Sequence, residues 1–213
     1  LNSRANNRKA IVFTLVSMAA FSIEDAFIKH LSSTHSIAQI LIVIGLASAI
    51  FFAILALKNG RIIWASGLWT RLTFTRMLAE AFAGVAFVTS LSLVPLSTVA
   101  AVFQILPLTV TMGAALCLGE RVGWRGWAAI FIGFVGVLLI IKPGFEAFNP
   151  SVLLVLVAVL GIAVRDLVTR VIPDSVGSSI ISFQAFSSVV VAGLFLLLVS
   201  PQVMTPIALE QWV

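Results

Sequence analysis

Two stretches decide how this chain folds: Ile23-Glu24-Asp25-Ala26-Phe27-Ile28-Lys29, and 141 residues later Val164-Arg165-Asp166-Leu167-Val168-Thr169-Arg170. Each sits inside a long apolar run. In both, an Asp stands four residues before a cation, Asp25 before Lys29 and Asp166 before Arg170, so on a helix the two groups share one face within pairing reach. The residue before each Asp is also charged, but with opposite sign: Glu24 in the first copy, Arg165 in the second. A charge at bilayer depth costs several kcal/mol, so such a group needs a partner or a function.

Composition supports the membrane setting. Of 213 residues, 61% are apolar and only 10% charged, far from soluble norms. The net charge of +5 does not form a basic stripe interleaved with aromatics, so no nucleic-acid partner is expected. The single cysteine, Cys117, excludes an intrachain disulfide and a Cys-based metal site; it reads as a small buried hydrophobe. No metal site and no cofactor are expected.

Outward from the two charged stretches, apolar segments run over about 10–29, 37–57, 72–93, 98–118, 124–142, 151–171 and 178–200. Each approaches the ~20 residues that cross ~30 Å of hydrocarbon. Because lipid offers no partner to an open backbone, and because the segments lack strand alternation, an all-α polytopic bundle is expected. Nine loop cations fall on one side: Arg4, Arg8, Lys9, Lys58, Arg61, Arg71, Arg121, Arg125 and Arg170. The other side has Lys29 and Lys142, which predicts a cytoplasmic amino terminus. A bacterial inner membrane is the expected location. Trp64, Trp69, Trp124, Trp127 and Trp212 read as interfacial anchors on or beyond these loops.

The offset of 141 residues aligns the first span with the sixth and the second with the seventh without a gap, although identities are few. Five spans separate the copies, an odd number, so the second copy enters the membrane from the opposite side as an inverted repeat. The expected layout is a cytoplasmic segment 1–9, a first five-helix repeat 10–144, and the start of a second repeat at 150–213. Counterparts of the third to fifth spans are expected to be missing, making seven helices of ten.

Val94-Pro95-Leu96-Ser97-Thr98 through Pro107, then Leu118-Gly119-Glu120-Arg121, then Gly126, Gly133, Gly136 and Lys142-Pro143-Gly144 give a moderately specific order of elements. This order resembles the EamA family of the drug/metabolite transporter superfamily. The resemblance implies ten helices in two inverted five-helix repeats and transport of a small metabolite, without naming it.

The residues suggest roles of their own. Pro107 lacks an N–H and frees the carbonyl of Phe103, marking a hinge near the middle of the fourth span. Gly126, Gly133 and Gly136 offer a smooth strip for helix packing. Glu120 is expected in a loop ion pair or as a cap for the fifth helix. His30 and His35 read as solvated loop residues. At 1.5 Å per residue, Glu24 and Gln104 fall about 6 Å to the outer side of the midplane, and Glu80, Arg165 and Gln184 roughly 5 to 8 Å to the inner side. These polar layers are expected to face one cavity. Glu80 and Arg165, equal in depth and opposite in charge, are expected to approach each other across the bundle. Arg76, four residues before Glu80, joins them as a candidate for binding substrate or proton. Asp25–Lys29 and Asp166–Arg170 are expected as structural ion pairs that fix register.

Three function classes compete. A secondary transporter would move a small metabolite by rocking of two repeats, with a proton on Glu24 or Glu80 as a candidate driving ion. A membrane-embedded transferase would need an acid/base cluster with histidines or metal-binding carboxylates, which this chain lacks. A passive channel would favour rings of like charge, whereas these charges are mixed in sign at discrete depths. Transport is the favoured class. Its expected partners are the metabolite, protons and the lipid bilayer, with a homodimer as a further candidate.

Overall fold

The computed structural model describes residues 2–142 and 149–199. The described residues form an all-helical bundle: α1 (Asn2–Leu31), α2 (Ile37–Lys58), α3 (Arg71–Leu93), α4 (Leu96–Phe103), α5 (Leu106–Cys117), α6 (Trp124–Ile141), α7 (Val152–Val171) and α8 (Ser178–Val199), with short 3-10 turns at Ser66–Leu68 and Asp174–Val176. Seven stretches are long and apolar enough to cross a membrane, α4 and α5 together making one of them. The large exposed side chains are the apolar ones a lipid-facing surface requires, among them Phe13, Leu78, Phe131 and Leu198.

Local chemistry sets several ends. Ser36 caps α2 by accepting from the Gln39 N–H at 3.2 Å. Thr70 and Thr73 form a reciprocal capping box on α3, with the Thr70 N–H donating to Thr73 Oγ1 at 2.8 Å and the Thr73 N–H to Thr70 Oγ1 at 3.3 Å. Each such cap contributes roughly 1 kcal/mol by satisfying donors that the helix leaves free. The expected single fourth span is two helices, broken at Gln104 and Ile105. Pro107 stands in the first turn of α5, where its missing N–H costs nothing. The hinge position is therefore a helix restart, three residues before which the backbone already turns.

Alternate loops gather at two ends. The turns at 59–70, 118–123 and 172–177 share the basic end with the start of α1; those at 32–36 and 94–95 lie at the opposite end. Trp64 and Trp69 stack there, at the basic end, with ring centroids 5.7 Å apart, and Trp124 is exposed beside Arg125. Trp212 lies outside the described residues.

Two helix pairs make the bundle: α2 on α8 and α3 on α7. Both rest on small residues. A Cβ at Gly45 would stand 2.8 Å from Val190 Cγ2 and 3.1 Å from the Phe186 carbonyl, and one at Gly193 would stand 2.8 Å from Ile42 Cγ1 and 3.0 Å from the Ala38 carbonyl. The pair is antiparallel, since higher numbers on α2 meet lower ones on α8, and Phe52 stacks on Phe186 at 5.7 Å. Residues 45 and 186, which meet here, are separated by 186 − 45 = 141 positions. Around these pairs lies an apolar core of Ile40, Leu41, Val88, Leu91, Val155 and their neighbours.

Several expectations are corrected by this packing. Gly126 and Gly136 make no helix–helix seam: a Cβ at 126 would meet Val122, one turn back, and a Cβ at 136 nothing. Gly133 alone of the three faces another helix, at Leu108 of α5. Cys117 is exposed at the end of α5, on a different face from the fully buried Ala114. His30 is exposed as expected, but His35 is buried, with Nδ1 2.7 Å from Thr34 Oγ1 as the loop folds back over the start of α2. α1 is the least covered helix, with Ile28 the one buried residue between 11 and 31.

Adding a methyl group at position 45 must displace both Val190 and the α8 backbone, whereas position 136 has room. Gly45→Ala is expected to lower stability by about 1–3 kcal/mol, the scale of overpacking, and Gly136→Ala to raise it by up to about 1 kcal/mol, the helix-propensity gain. Thermal unfolding of the two variants in the same detergent checks this.

Candidate functional site

The α3–α7 contact is set by a pair of small residues and then loaded with charge. A Cβ at Gly161 would lie 2.9 Å from Ala83 Cβ and 3.2 Å from Ala83 Cα, so the two backbones run close. From that point the antiparallel helices keep step toward the basic end. Glu80 lies beside Arg165, and one turn further Arg76 lies beside Thr169.

The expected approach of Glu80 and Arg165 is present: Arg165 Nη1 donates to Glu80 Oε1 at 3.1 Å. Arg165 also holds its own neighbour, donating from Nε to Asp166 Oδ1 at 2.9 Å, with Nη2 2.8 Å from the same oxygen in an ion pair. Arg76 donates from Nε to Thr169 Oγ1 at 2.8 Å and from Nη1 to the Ile181 carbonyl at 3.4 Å, and its Nη2 is 3.7 Å from Glu80 Oε2. Thr169 is oriented for this by donating to the Arg165 carbonyl at 2.7 Å. Two carboxylates and two guanidiniums thus form a half-buried quartet of zero net charge, with side-chain exposures of 12% for Arg76, 18% for Glu80, 26% for Arg165 and 37% for Asp166.

Both expected register pairs are corrected. Lys29 turns away from Asp25: its ammonium donates to the carbonyls of Leu91 at 2.6 Å and Val94 at 3.0 Å. Those carbonyls end α3, where a cation satisfies free acceptors and the negative end of the helix dipole together. Arg170 reaches Glu120 at 2.9 Å, leaving Asp166 to Arg165. Glu120 therefore does form an ion pair, across 50 residues, while the cap of α6 is Gly123. In each case the long cation side chain finds a better acceptor across the bundle than along its own helix.

The other candidates do not share one cavity with the quartet. Glu24 lines an open, apolar groove of about 560 Å³ with Ala20, Ile23, Phe27, Ile28 and Ile44. Gln104 is exposed at the break between α4 and α5. Gln184 is fully buried and donates from Nε2 to the Leu68 carbonyl at 2.9 Å, tying α8 to the 3-10 turn before α3. Arg61, which sequence reasoning left as a topology signal, donates to the Ser175 and Val176 carbonyls at 3.0 and 3.1 Å. No local spacing could reveal that contact, which joins two loops more than a hundred residues apart. No group of three or more metal-ligating side chains occurs among the described residues.

The sequence profile described as the EamA-like transporter family matches residues 8–142. A protein named S-adenosylmethionine uptake transporter from Rickettsia prowazekii (strain Madrid E) is 27% identical over 123 residues, 58% of this chain and 38% of that protein. Its namesake from Rickettsia bellii (strain RML369-C) is 31% identical over 102 residues, 48% of this chain and 34% of that protein. A protein named riboflavin transporter from Rhizobium johnstonii (strain DSM 114642 / LMG 32736 / 3841) is 33% identical over 102 residues, 48% of this chain and 33% of that protein. The chain thus spans well under two thirds of the length of these relatives. With most of the chain matched by one profile, on a bundle of seven membrane-capable helices, it belongs to the EamA-like transporter family.

Proposed function

We propose that this chain carries a small metabolite across the bacterial inner membrane by alternating access, as a secondary transporter built on two inverted repeats. The observation that carries the reading is the meeting of α2 with α8. Two elements related by a two-fold axis in the membrane plane must run antiparallel and bring equivalent positions together at the axis. Gly45 and Phe186, 141 positions apart, meet in this way. The layout read from the sequence, 10–144 and 150–213, supplies the two bodies whose relative rocking opens either face.

The basic end is the cytoplasmic one in this reading, because Arg61, Arg71, Arg121 and Arg125 gather there. Glu24 and Glu80 are the carboxylates available to bind a driving proton: Glu24 in its apolar groove, Glu80 at the junction of α3 and α7. The names of the relatives make S-adenosylmethionine and riboflavin the first substrates to try.

The transport reading is checked by uptake and efflux of a metabolite panel containing both compounds, in vesicles with imposed pH gradients. At least one compound is expected to accumulate, and Glu24→Gln or Glu80→Gln to reduce gradient-driven accumulation about tenfold, inside the usual range for coupling between sites. Unchanged transport in both variants removes the carboxylates from the mechanism. Orientation is checked separately in the Cys117→Ser background. A cysteine at Ser33 is expected to react with an impermeant maleimide on spheroplasts, and one at Asn59 only after lysis.

A further inference from the structure

We infer that the quartet Arg76, Glu80, Arg165 and Asp166 is a reversible latch closing the basic end of the bundle, built so that each half keeps its charges paired when the halves part. This rests on the alternating-access reading above and gives it a moving part.

The contacts between 2–142 and 149–199 differ along the bundle. Toward the opposite end α3 and α7 meet through apolar side chains, with Val88 and Leu91 in one core with Val152 and Val155. At the basic end the same two bodies share a smaller apolar cluster, Ala56 and Ile63 with Ile172, Val176 and Ile180, and are joined besides by polar links: Glu80 to Arg165, Arg76 to Thr169 and to the Ile181 carbonyl, Glu120 to Arg170, Arg61 to the Ser175 and Val176 carbonyls, and Gln184 to the Leu68 carbonyl. A path to that end must separate them. Water can replace the loop contacts of Arg61, Arg170 and Glu120, which lie at the surface.

The quartet lies deeper, and separating it would ordinarily strand charges in a medium of low dielectric. Its composition avoids that. Glu80 is four residues after Arg76 on α3, with 3.7 Å already between their charged groups, and Asp166 follows Arg165 on α7 at 2.8 Å. When α3 leaves α7, Arg76–Glu80 and Arg165–Asp166 remain as two neutral pairs. The pair that exists only in the closed state is Glu80–Arg165. Asp166 balances Arg165 on α7 as Glu80 balances Arg76 on α3, so each helix carries a neutral pair of its own.

The two carboxylates therefore act in opposite directions. Removing the charge of Glu80 deletes the cross-link and favours opening. Removing the charge of Asp166 leaves Arg165 dependent on Glu80 and favours closure. Ala163, 3% exposed and two positions before Arg165, on the side away from the basic end, is the reporter.

The test uses the full chain, purified into nanodiscs, with Cys117→Ser and Ala163→Cys as background and the rate of alkylation by a water-soluble maleimide as readout. Glu80→Gln is expected to speed alkylation about tenfold, the scale of one lost charge-assisted hydrogen bond, and Asp166→Asn to slow it by a similar factor. Changes of the same sign in both variants, or no change in Asp166→Asn, would overturn the latch. Should Glu80→Gln fail to yield a monodisperse protein, the sign of the Asp166→Asn effect decides alone. Alkylation needs no substrate. Opposed rates in a protein that transports nothing from the panel would retain the latch and remove the transport reading, and uniform rates in an active transporter would do the reverse.

Discussion

The contact between Gly161 and Ala83 is the constraint from which the rest of the bundle follows. A larger residue at either place would hold α3 and α7 apart, and the antiparallel step that brings Glu80 to Arg165 and Arg76 to Thr169 would be lost. In a bilayer the hydrophobic effect does little to press helices together, so close backbone packing and interhelical polar contacts must supply the association. Interhelical hydrogen bonds in membranes contribute about 0.6 to 2 kcal/mol each, whereas an uncompensated charge near the midplane costs more. The packing therefore decides where the helices sit. The charges then decide which state of that packing is populated.

Much of this was legible in the chain. Length and hydropathy located every span to within a few residues, apart from the amino-terminal extension of α1, and simple depth counting paired Glu80 with Arg165, because a helix converts residue number into height. The failures have a common cause. Spacing along one helix proposed Asp25–Lys29 and Asp166–Arg170, but Lys29 found the carbonyl end of α3 and Arg170 found Glu120. An i,i+4 pair is worth a few tenths of a kcal/mol, and a long cation gives it up for a stronger acceptor on a neighbour. Pro107 marked the break in the fourth span correctly in kind. Its exact place depends on the turn at Gln104 and Ile105, which carries no comparable signal.

The two charged stretches that organise the sequence have different fates. Around Arg165 the charges are balanced by Asp166 on the same helix and by Glu80 on α3. On α1, Glu24 and Asp25 lie on a helix with little cover, and the nearest cation in sequence is committed elsewhere. The sign reversal between residues 24 and 165 thus separates a neutralised junction between two helices from a single carboxylate in an apolar groove walled by Phe27, Ile28 and Ile44.

The central claim is that Glu80 and Arg165 are energetically coupled across the α3–α7 junction. A double-mutant cycle on Glu80→Gln and Arg165→Gln, read by equilibrium unfolding in one bilayer mimic, measures that coupling directly. The account predicts that the double variant loses less than the sum of the single losses, with a coupling of about 1–2 kcal/mol. Additivity within about 0.5 kcal/mol would contradict it.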